Sequence, residues 1–381
     1  MNPSARICPR CGTPYRSDET ICVRCGLPLQ YTASRPVVYQ PAPPQKSRGR
    51  LVIFAVAVVL VLVGALAFLL LGAINPPASG PPDLSGLGDV TAVAWSPDGT
   101  LLASSGSDHH VRVWEVQTGK TLLTYTKHFS TVYAVAWSPN GKLLASAGFD
   151  GLVQVWDARS GATVYSYTAQ QTQINAVAWS PDGTRLASAG NDQTAQVWDA
   201  TTGKNLLIYR GHTGNVMTVA WSPDGTKLAS GGSDQTVQVW DAATGTTLYS
   251  YHGHTAQVNQ VAWSRNGTRI ASASADRTVQ VWDALTGSNP LTYMGHGAKV
   301  TAVAWSRFGE MLVSAGDDAT VQVWNATTGS TLFKYTKHGN AVHVALWSPD
   351  GLSIASGSAD GTVRIWYALT GQDELVYRGT A

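Results

Sequence analysis

An all-β ring of seven four-stranded sheets, preceded by a small cysteine-rich head and one apolar helix, is the fold class this sequence predicts. Three observations predict the ring. Tryptophans stand at Trp95, Trp137, Trp179, Trp221, Trp263, Trp305 and Trp347, each 42 residues from the last. A second set, Trp114, Trp156, Trp198, Trp240, Trp282, Trp324 and Trp366, keeps the same interval, so the two columns use all 14 tryptophans of the 381-residue chain. Between them the text alternates or turns, with no run of apolar residues at the helical period.

Each unit reads as strand, turn, strand, turn, strand, turn, strand. The first copy opens on VTAVAWS, an alternating strand, and then places Pro97 at the second position of a tight turn and Gly99 at its end. LLAS from Leu101 to Ser104 is a second strand, the neighbourhood of Asp108 a second turn, and VRVWEV a third strand. Thr118-Gly119 turns the chain into TLLTY, the fourth strand. Four strands per repeat make one small sheet that cannot bury both faces alone, so neighbouring copies must stack. The fourth strands carry their own column, Tyr125, Tyr167, Tyr209, Tyr251, Tyr293, Tyr335 and Tyr377, which confirms seven copies.

Three further columns supply polar chemistry. Ser recurs at 104, 146, 188, 230, 272, 314 and 356, and Asp at 108, 150, 192, 234, 276, 318 and 360. His128, His212, His254, His296 and His338 stand 22 residues before their Asp. An indole N–H only donates, Ser and neutral His both donate and accept, and ionised Asp only accepts, so the chain Trp, Ser, His, Asp is satisfiable from end to end. A His, Asp and Ser set raises the question of nucleophilic catalysis. Five copies at one spacing, each tied to a tryptophan, instead predict a structural strut. The third copy offers Gln170 at the His position and the first only Gly86.

At this point the chain resembles the WD40 repeat family over residues 89–381. The WD dipeptide stands at Trp156-Asp157, Trp198-Asp199, Trp240-Asp241 and Trp282-Asp283, and the GH dipeptide at Gly211-His212, Gly253-His254 and Gly295-His296. The resemblance implies a seven-bladed β-propeller with hydrogen-bonded tetrads. They are His128, Ser146, Asp150 and Trp156; His212, Ser230, Asp234 and Trp240; His254, Ser272, Asp276 and Trp282; His296, Ser314, Asp318 and Trp324; and His338, Ser356, Asp360 and Trp366. One departure is expected. Every blade has its four strands in sequence order, so no N-terminal strand completes the last blade, and the seam between blades 7 and 1 is expected to close by packing alone.

The N-terminal 88 residues divide into four parts. Cys8, Cys11, Cys22 and Cys25 form CPRCG and CVRCG, two C-x2-C pairs over residues 1–30 that resemble short zinc ribbons. Four thiolates fill a tetrahedral site and leave no position for water, so one structural Zn²⁺ is expected; a redox role for the pairs is the rival. Residues 31–50 are a Pro-rich basic linker. Residues 51–74 are uncharged and long enough, at about 1.5 Å per residue, to cross a ~30 Å hydrocarbon core. A cleaved signal peptide competes, but its apolar core is shorter and nearer the start. Lys46, Arg48 and Arg50 precede this segment and no Lys or Arg follows before Arg112, which keeps the N-terminus cytoplasmic and the ring extracytoplasmic. Residues 75–88 are a second Pro/Gly linker.

Function is expected where the columns vary. Residues 1–50 carry a charge of +6 and the rest −4, against a total of +2, so no basic surface on the ring invites nucleic acid. One variable column reads Thr91, Tyr133, Asn175, Met217, Asn259, Thr301 and His343, and another Ser107, Phe149, Asn191, Ser233, Ala275, Asp317 and Ala359, with Arg277 just after the turn Asp of blade 5. Both belong with the loops joining fourth to first and second to third strands, the face on which the resemblance implies partner binding. Tyr133, Phe149, Met217, Arg277 and His343 are the candidate contacts for a protein partner. A membrane-anchored, non-enzymatic scaffold is therefore expected. A propeller hydrolase, hinted at by Asp317, Asp318 and His343, and a sensor relaying to the zinc ribbon are the alternatives.

Overall fold

The computed structural model describes a strand pair, Arg6–Ile7 with Pro14–Tyr15, and residues 88–378 except 169 and 171. The chain divides into two compact units, Met1–Gly80 and Pro81–Ala381. In the second unit seven four-stranded antiparallel sheets follow one another, each built from consecutive strands. Blade 1 is Val90–Trp95, Leu101–Gly106, Val111–Glu115 and Thr121–Tyr125. The inner strands of blades 2 to 7 are Val132–Trp137, Ile174–Trp179, Val216–Trp221, Val258–Trp263, Val300–Trp305 and Val342–Trp347.

Turn chemistry fixes these boundaries. In blade 4 the Ser222 hydroxyl donates to Asp224, whose carboxylate accepts the Thr226 N–H, while Gly225 takes a φ of 68° that a side chain would resist. The Ser222 bond and the Thr226 N–H hold the Asp224 carboxyl down to about 2. Across the next turn, Asp241 accepts the N–H groups of Ala243 and Thr244. Without such acceptors the donors at these tips would rely on water alone.

The core lies between adjacent sheets. Val111 and Tyr125 of blade 1 pack with Val132, Leu144 and Trp156 of blade 2, and the same arrangement recurs around the ring. Tyr209 stacks on Trp240 of the next blade with centroids 4.4 Å apart, and Tyr293 on Trp324 at 4.3 Å. Each such stack is worth ~1 kcal/mol beyond the area it buries.

Blade 7 closes onto blade 1 by the same means, because Tyr377 stacks on Trp114 at 4.6 Å within a cluster that includes Leu102, Val363 and Ile365. All four strands of blade 7 come from the chain's end, as expected. Packing is not alone, however: the Tyr377 hydroxyl shares a 2.7 Å hydrogen bond with Thr121. The same phenol-to-Thr contact occurs at ordinary junctions, Tyr125 to Thr163 and Tyr209 to Thr247, so the seam retains it. Residues 76–87 lie outside the described residues, and Gly88 is not in a strand.

One local feature positions the site. In all seven blades the pairing of the first two strands slips by one at the second residue of the inner strand, for example between Val90 and Ala92. That residue faces no partner across the ladder, and a bulge of this kind re-aims its side chain.

Candidate functional site: struts, channel mouth and upper face

The His, Ser, Asp and Trp columns converge inside the blades. In blade 4 His212 Nδ1 lies 2.8 Å from Asp234 and Nε2 2.8 Å from the Ser230 hydroxyl, which accepts the Trp240 N–H at 3.1 Å. Because the carboxylate only accepts, Nδ1 carries the proton, Nε2 accepts from Ser230, and every donor is matched. The same path joins His128, Ser146, Asp150 and Trp156, His296, Ser314, Asp318 and Trp324, and His338, Ser356, Asp360 and Trp366.

Blades 5, 3 and 1 differ from the expected tetrad. His254 reaches Asp276 and Ser272, but the Trp282 N–H goes to the Tyr249 hydroxyl at 3.3 Å, since that phenol arrives from the neighbouring blade. Gln170 donates to Asp192 and Thr194, and its own oxygen has no partner among the described residues. In blade 1 the Arg112 guanidinium donates to Asp108, and the Trp114 N–H has no partner among the described residues.

Burial opposes ionisation of Asp234, yet the bond and charge of His212 and the N–H groups of Thr213 and Thr236 prevail and hold its carboxyl down to about 2. Asp318 and Asp360 are depressed against the same burial by His296 and by His338. His254 is lowered by burial, which its Asp276 contact only partly offsets.

The first variable column lies not in the loops but on the inner strands, at the bulged position. Thr91, Tyr133, Asn175, Met217, Asn259, Thr301 and His343 ring the mouth of a central channel with a cavity of about 560 Å³. Four of them brace the next blade: Thr91 donates to the Val132 carbonyl, Asn175 to that of Val216, Asn259 to that of Val300 and Thr301 to that of Val342. Among the described contacts Tyr133, Met217 and His343 do not repeat this bond, and all three are half-buried at the mouth. Burial lowers the His343 pKa, against the attraction of Asp89 and Asp317.

The second column sits in the turns between second and third strands, on the same face as the fourth-to-first loops. Phe149 is 57% exposed there, and Phe129, which sequence reasoning missed, is 69% exposed in the adjacent loop. The two loops are tied, since the Phe149 N–H donates to Thr131 and the Phe129 N–H to Asp150. The signal for Phe129 was available: the position after the His reads Thr213, Thr255, Gly297 and Gly339 in later blades. Arg277 is exposed at a φ of 73°, a left-handed turn position shared by His109, Gln193, Gln235 and Ala319.

Among the described residues no hydrogen bond or ion pair joins His343 to a carboxylate at the mouth, although Asp89 and Asp317 attract it. Asp318 is held by His296, and Asp317 pairs with Lys299 at 3.6 Å. Among the described residues no group of three or more His, Cys, Asp or Glu could hold a metal. None of their helices is long and apolar enough to cross a membrane. Cys8, Cys11, Cys22 and Cys25 and the apolar segment 51–74 lie outside the described residues; in the chain, Cys8 and Cys11 fall between the paired strands Arg6–Ile7 and Pro14–Tyr15.

Comparison with known proteins agrees with this geometry. Residues 84–115, 287–325 and 329–367 match the family described as WD40, WD domain, G-beta repeat. Residues 133–288 match the family described as WDR19 first beta-propeller. Two uncharacterized WD repeat-containing proteins of Nostoc sp. are 50% identical over 46 residues and 54% identical over 46 residues. Periodic tryptophan protein 2 of Arabidopsis thaliana is 43% identical over 44 residues. Each match covers 12% of this chain and only 3 to 5% of the relative.

Proposed function

From the premise that this chain carries WD40 repeats closed into a seven-bladed β-propeller, we propose that it is a non-enzymatic scaffold that binds a protein through blade 2 and the channel mouth. One observation carries the reading: Phe129 and Phe149 stand exposed in tied loops of the blade whose bulge presents Tyr133 to the mouth. No other blade has an aromatic residue at either of the two described loop positions. Large aromatic side chains that can be desolvated together are the usual anchors of an interface. Met217 and His343 extend the same rim, and Arg277 supplies a cation on blade 5. The His and Asp groups that could have served catalysis hold the blades instead, which supports a non-enzymatic role.

The apolar segment 51–74 is proposed to anchor the chain in a membrane, with the basic side cytoplasmic and the ring beyond it. Cys8, Cys11, Cys22 and Cys25 are proposed to bind one structural Zn²⁺, a role that suits a segment too short for its own core.

The test is capture of partners from membranes by the full-length chain. Phe129→Asp with Phe149→Asp is expected to abolish capture, and Phe308→Asp, 74% exposed in a turn between first and second strands on the opposite face, to leave it intact. Loss only in the Phe308 variant would refute the upper-face reading.

A further inference from the structure

The underside of the ring repeats a second design, in which the first residue of five of the second strands packs at the inner-strand tryptophan of the next blade. That column reads Leu101, Leu143, Arg185, Lys227, Arg269, Met311 and Ser353. Leu101, Leu143 and Met311 pack into the clusters that contain Trp137, Trp179 and Trp347. The two arginines go further. The Arg185 guanidinium lies over the Trp221 ring, 4.5 Å from its centroid, and donates to the carbonyl oxygens of Gly225 and Ala242. Arg269 lies 4.7 Å over Trp305 and donates to the carbonyls of Gly309 and Ala326. Each site is one aromatic floor with two backbone acceptors, set for a flat cation with forked donors.

The seam has those same walls and nothing in them. Trp95, Gly99 and Val116 occupy the positions of Trp305, Gly309 and Ala326, but the residue that should reach across is Ser353, too short to do so. A cavity of about 220 Å³ stands there, lined by Trp95, Asp98, Val116, Asp350, Ser353 and Glu374 among others. The walls keep their ordinary spacing: a methyl group on Gly99 would meet Pro349 at 3.5 Å, as one on Gly141 would meet Pro97.

Charge separates this cavity from its sibling. The groove between blades 4 and 5, about 320 Å³, is open as well, because Lys227 turns toward Asp224, 3.9 Å away, but its lining holds Lys227 and Arg265 against that one carboxylate. The seam cavity has three carboxylates, Asp98, Asp350 and Glu374, and no cation in its lining. Glu374 stands in a column that is otherwise apolar, Leu122, Val164, Leu206, Leu248, Pro290 and Leu332. The Ser96 hydroxyl and Thr100 N–H hold the Asp98 carboxyl below its ordinary value.

We propose that the seam cavity is a receptor for the arginine side chain of a partner protein, which would lie over Trp95 and donate to the backbone carbonyls of Gly99 and Val116 while the acidic rim attracts its charge. Lysine is a poorer ligand, since a compact ammonium cannot present the planar fork that the two carbonyls require.

The probe is the peptide acetyl-Gly-Arg-Gly-amide, titrated into the full-length chain and followed by the Trp95 indole N–H signal, assigned with Trp95→Phe. Saturable binding in the millimolar range is expected, about tenfold tighter than for the lysine analogue, with no response to the citrulline analogue. Ser353→Arg fills the cavity from within; it is expected to abolish the response and to raise the melting temperature. Equal binding of lysine and arginine, or an undiminished response in a folded Ser353→Arg chain, would overturn the proposal. Should Ser353→Arg not fold, Asp98→Asn with Glu374→Gln decides: binding at least about fivefold weaker supports the site and unchanged binding overturns it.

Discussion

Replacing His212 tests whether the repeated His, Ser and Asp set is a strut. In His212→Ala the Asp234 carboxylate loses a charge-assisted bond, worth about 1.5–3 kcal/mol, and the wholly buried Ser230 hydroxyl loses its acceptor. The edge contact of His212 with Tyr209, 6.3 Å between centroids, is lost as well. Thr213 and Thr236 still donate to Asp234, so the carboxylate is not stranded, and the whole effect is about 3 kcal/mol. An unfolding entropy of about 2.1 cal/mol/K per residue, summed over the seven repeats, gives about 0.6 kcal/mol/K, and hence a melting temperature lower by about 5 °C. His212→Gln keeps an amide donor for Asp234, as Gln170 does for Asp192 in blade 3, and is expected to lose about half as much. Thermal unfolding followed by near-ultraviolet circular dichroism reads both, with Thr213→Ala as the exposed neighbour control. A His212→Ala chain that melts within about 1 °C of the parent, or a Gln variant as damaged as the Ala variant, would refute the strut.

Two other outcomes are expected. Because the Asp234 carboxyl sits at about 2 in the fold, below the ordinary ~3.9, its contribution is complete above ~3.9 and is lost as pH falls through about 2. His254 and His343 are lowered in the fold, so the unfolded chain takes up their protons first and stability already declines below about 6.5; a melting temperature flat from pH 7 to 4 would contradict this. At the seam, hydrogen exchange of Val90–Trp95 and Val342–Trp347 is expected to outpace that of Val216–Trp221, because the Trp95 and Trp347 N–H groups have no acceptor among the described residues whereas the Trp221 N–H reaches the Ala178 carbonyl. Uniform protection of all three strands would show the seam to be as tight as any junction.

The blades were legible because everything that defines them is local. A Pro and a Gly at fixed offsets, a tryptophan column and a tyrosine column set strand, turn and stacking partner within one repeat and its neighbour. The bulge at Thr91 and its equivalents was not legible, since VTAVAWS alternates like any regular strand and the slip appears only when the inner strands line a channel. That is why Tyr133, Met217 and His343 belong to the mouth and not to the loops. The Trp282 exception had a different cause: the strut assignment considered one blade, whereas the competing acceptor, Tyr249, comes from the outer strand of the blade before. Phe129 was overlooked because it follows a His already assigned to structure.

At the seam the donors and acceptors of blades 7 and 1 are matched differently from those of most other junctions. In blades 2, 4, 5 and 6 a glutamine at the second or third position of the third strand accepts the preceding blade's tyrosine hydroxyl, as Gln154 does for Tyr125 and Gln238 for Tyr209. The two blades that flank the seam carry Arg112 and Arg364 in this column. Arginine has no acceptor, so these hydroxyls keep only their fourth-strand partner: Thr121 for Tyr377, and for Tyr335 the Asp373 carboxylate, which Lys337 and Arg364 flank. In blade 1 the exchange also serves the strut, because the position 22 residues before Asp108 is Gly86 and not a histidine, and the carboxylate takes its charged donor from Arg112. Neutral glutamine there would leave that largely buried carboxylate without a cation, a costlier defect than the unpartnered Trp114 N–H that remains. Two gaps thus stand beside the seam: a small one of about 20 Å³ next to Ser104, Asp108 and Arg112, where blade 1 lacks a strut histidine, and the larger one of about 220 Å³ under Ser353, where a long side chain is missing.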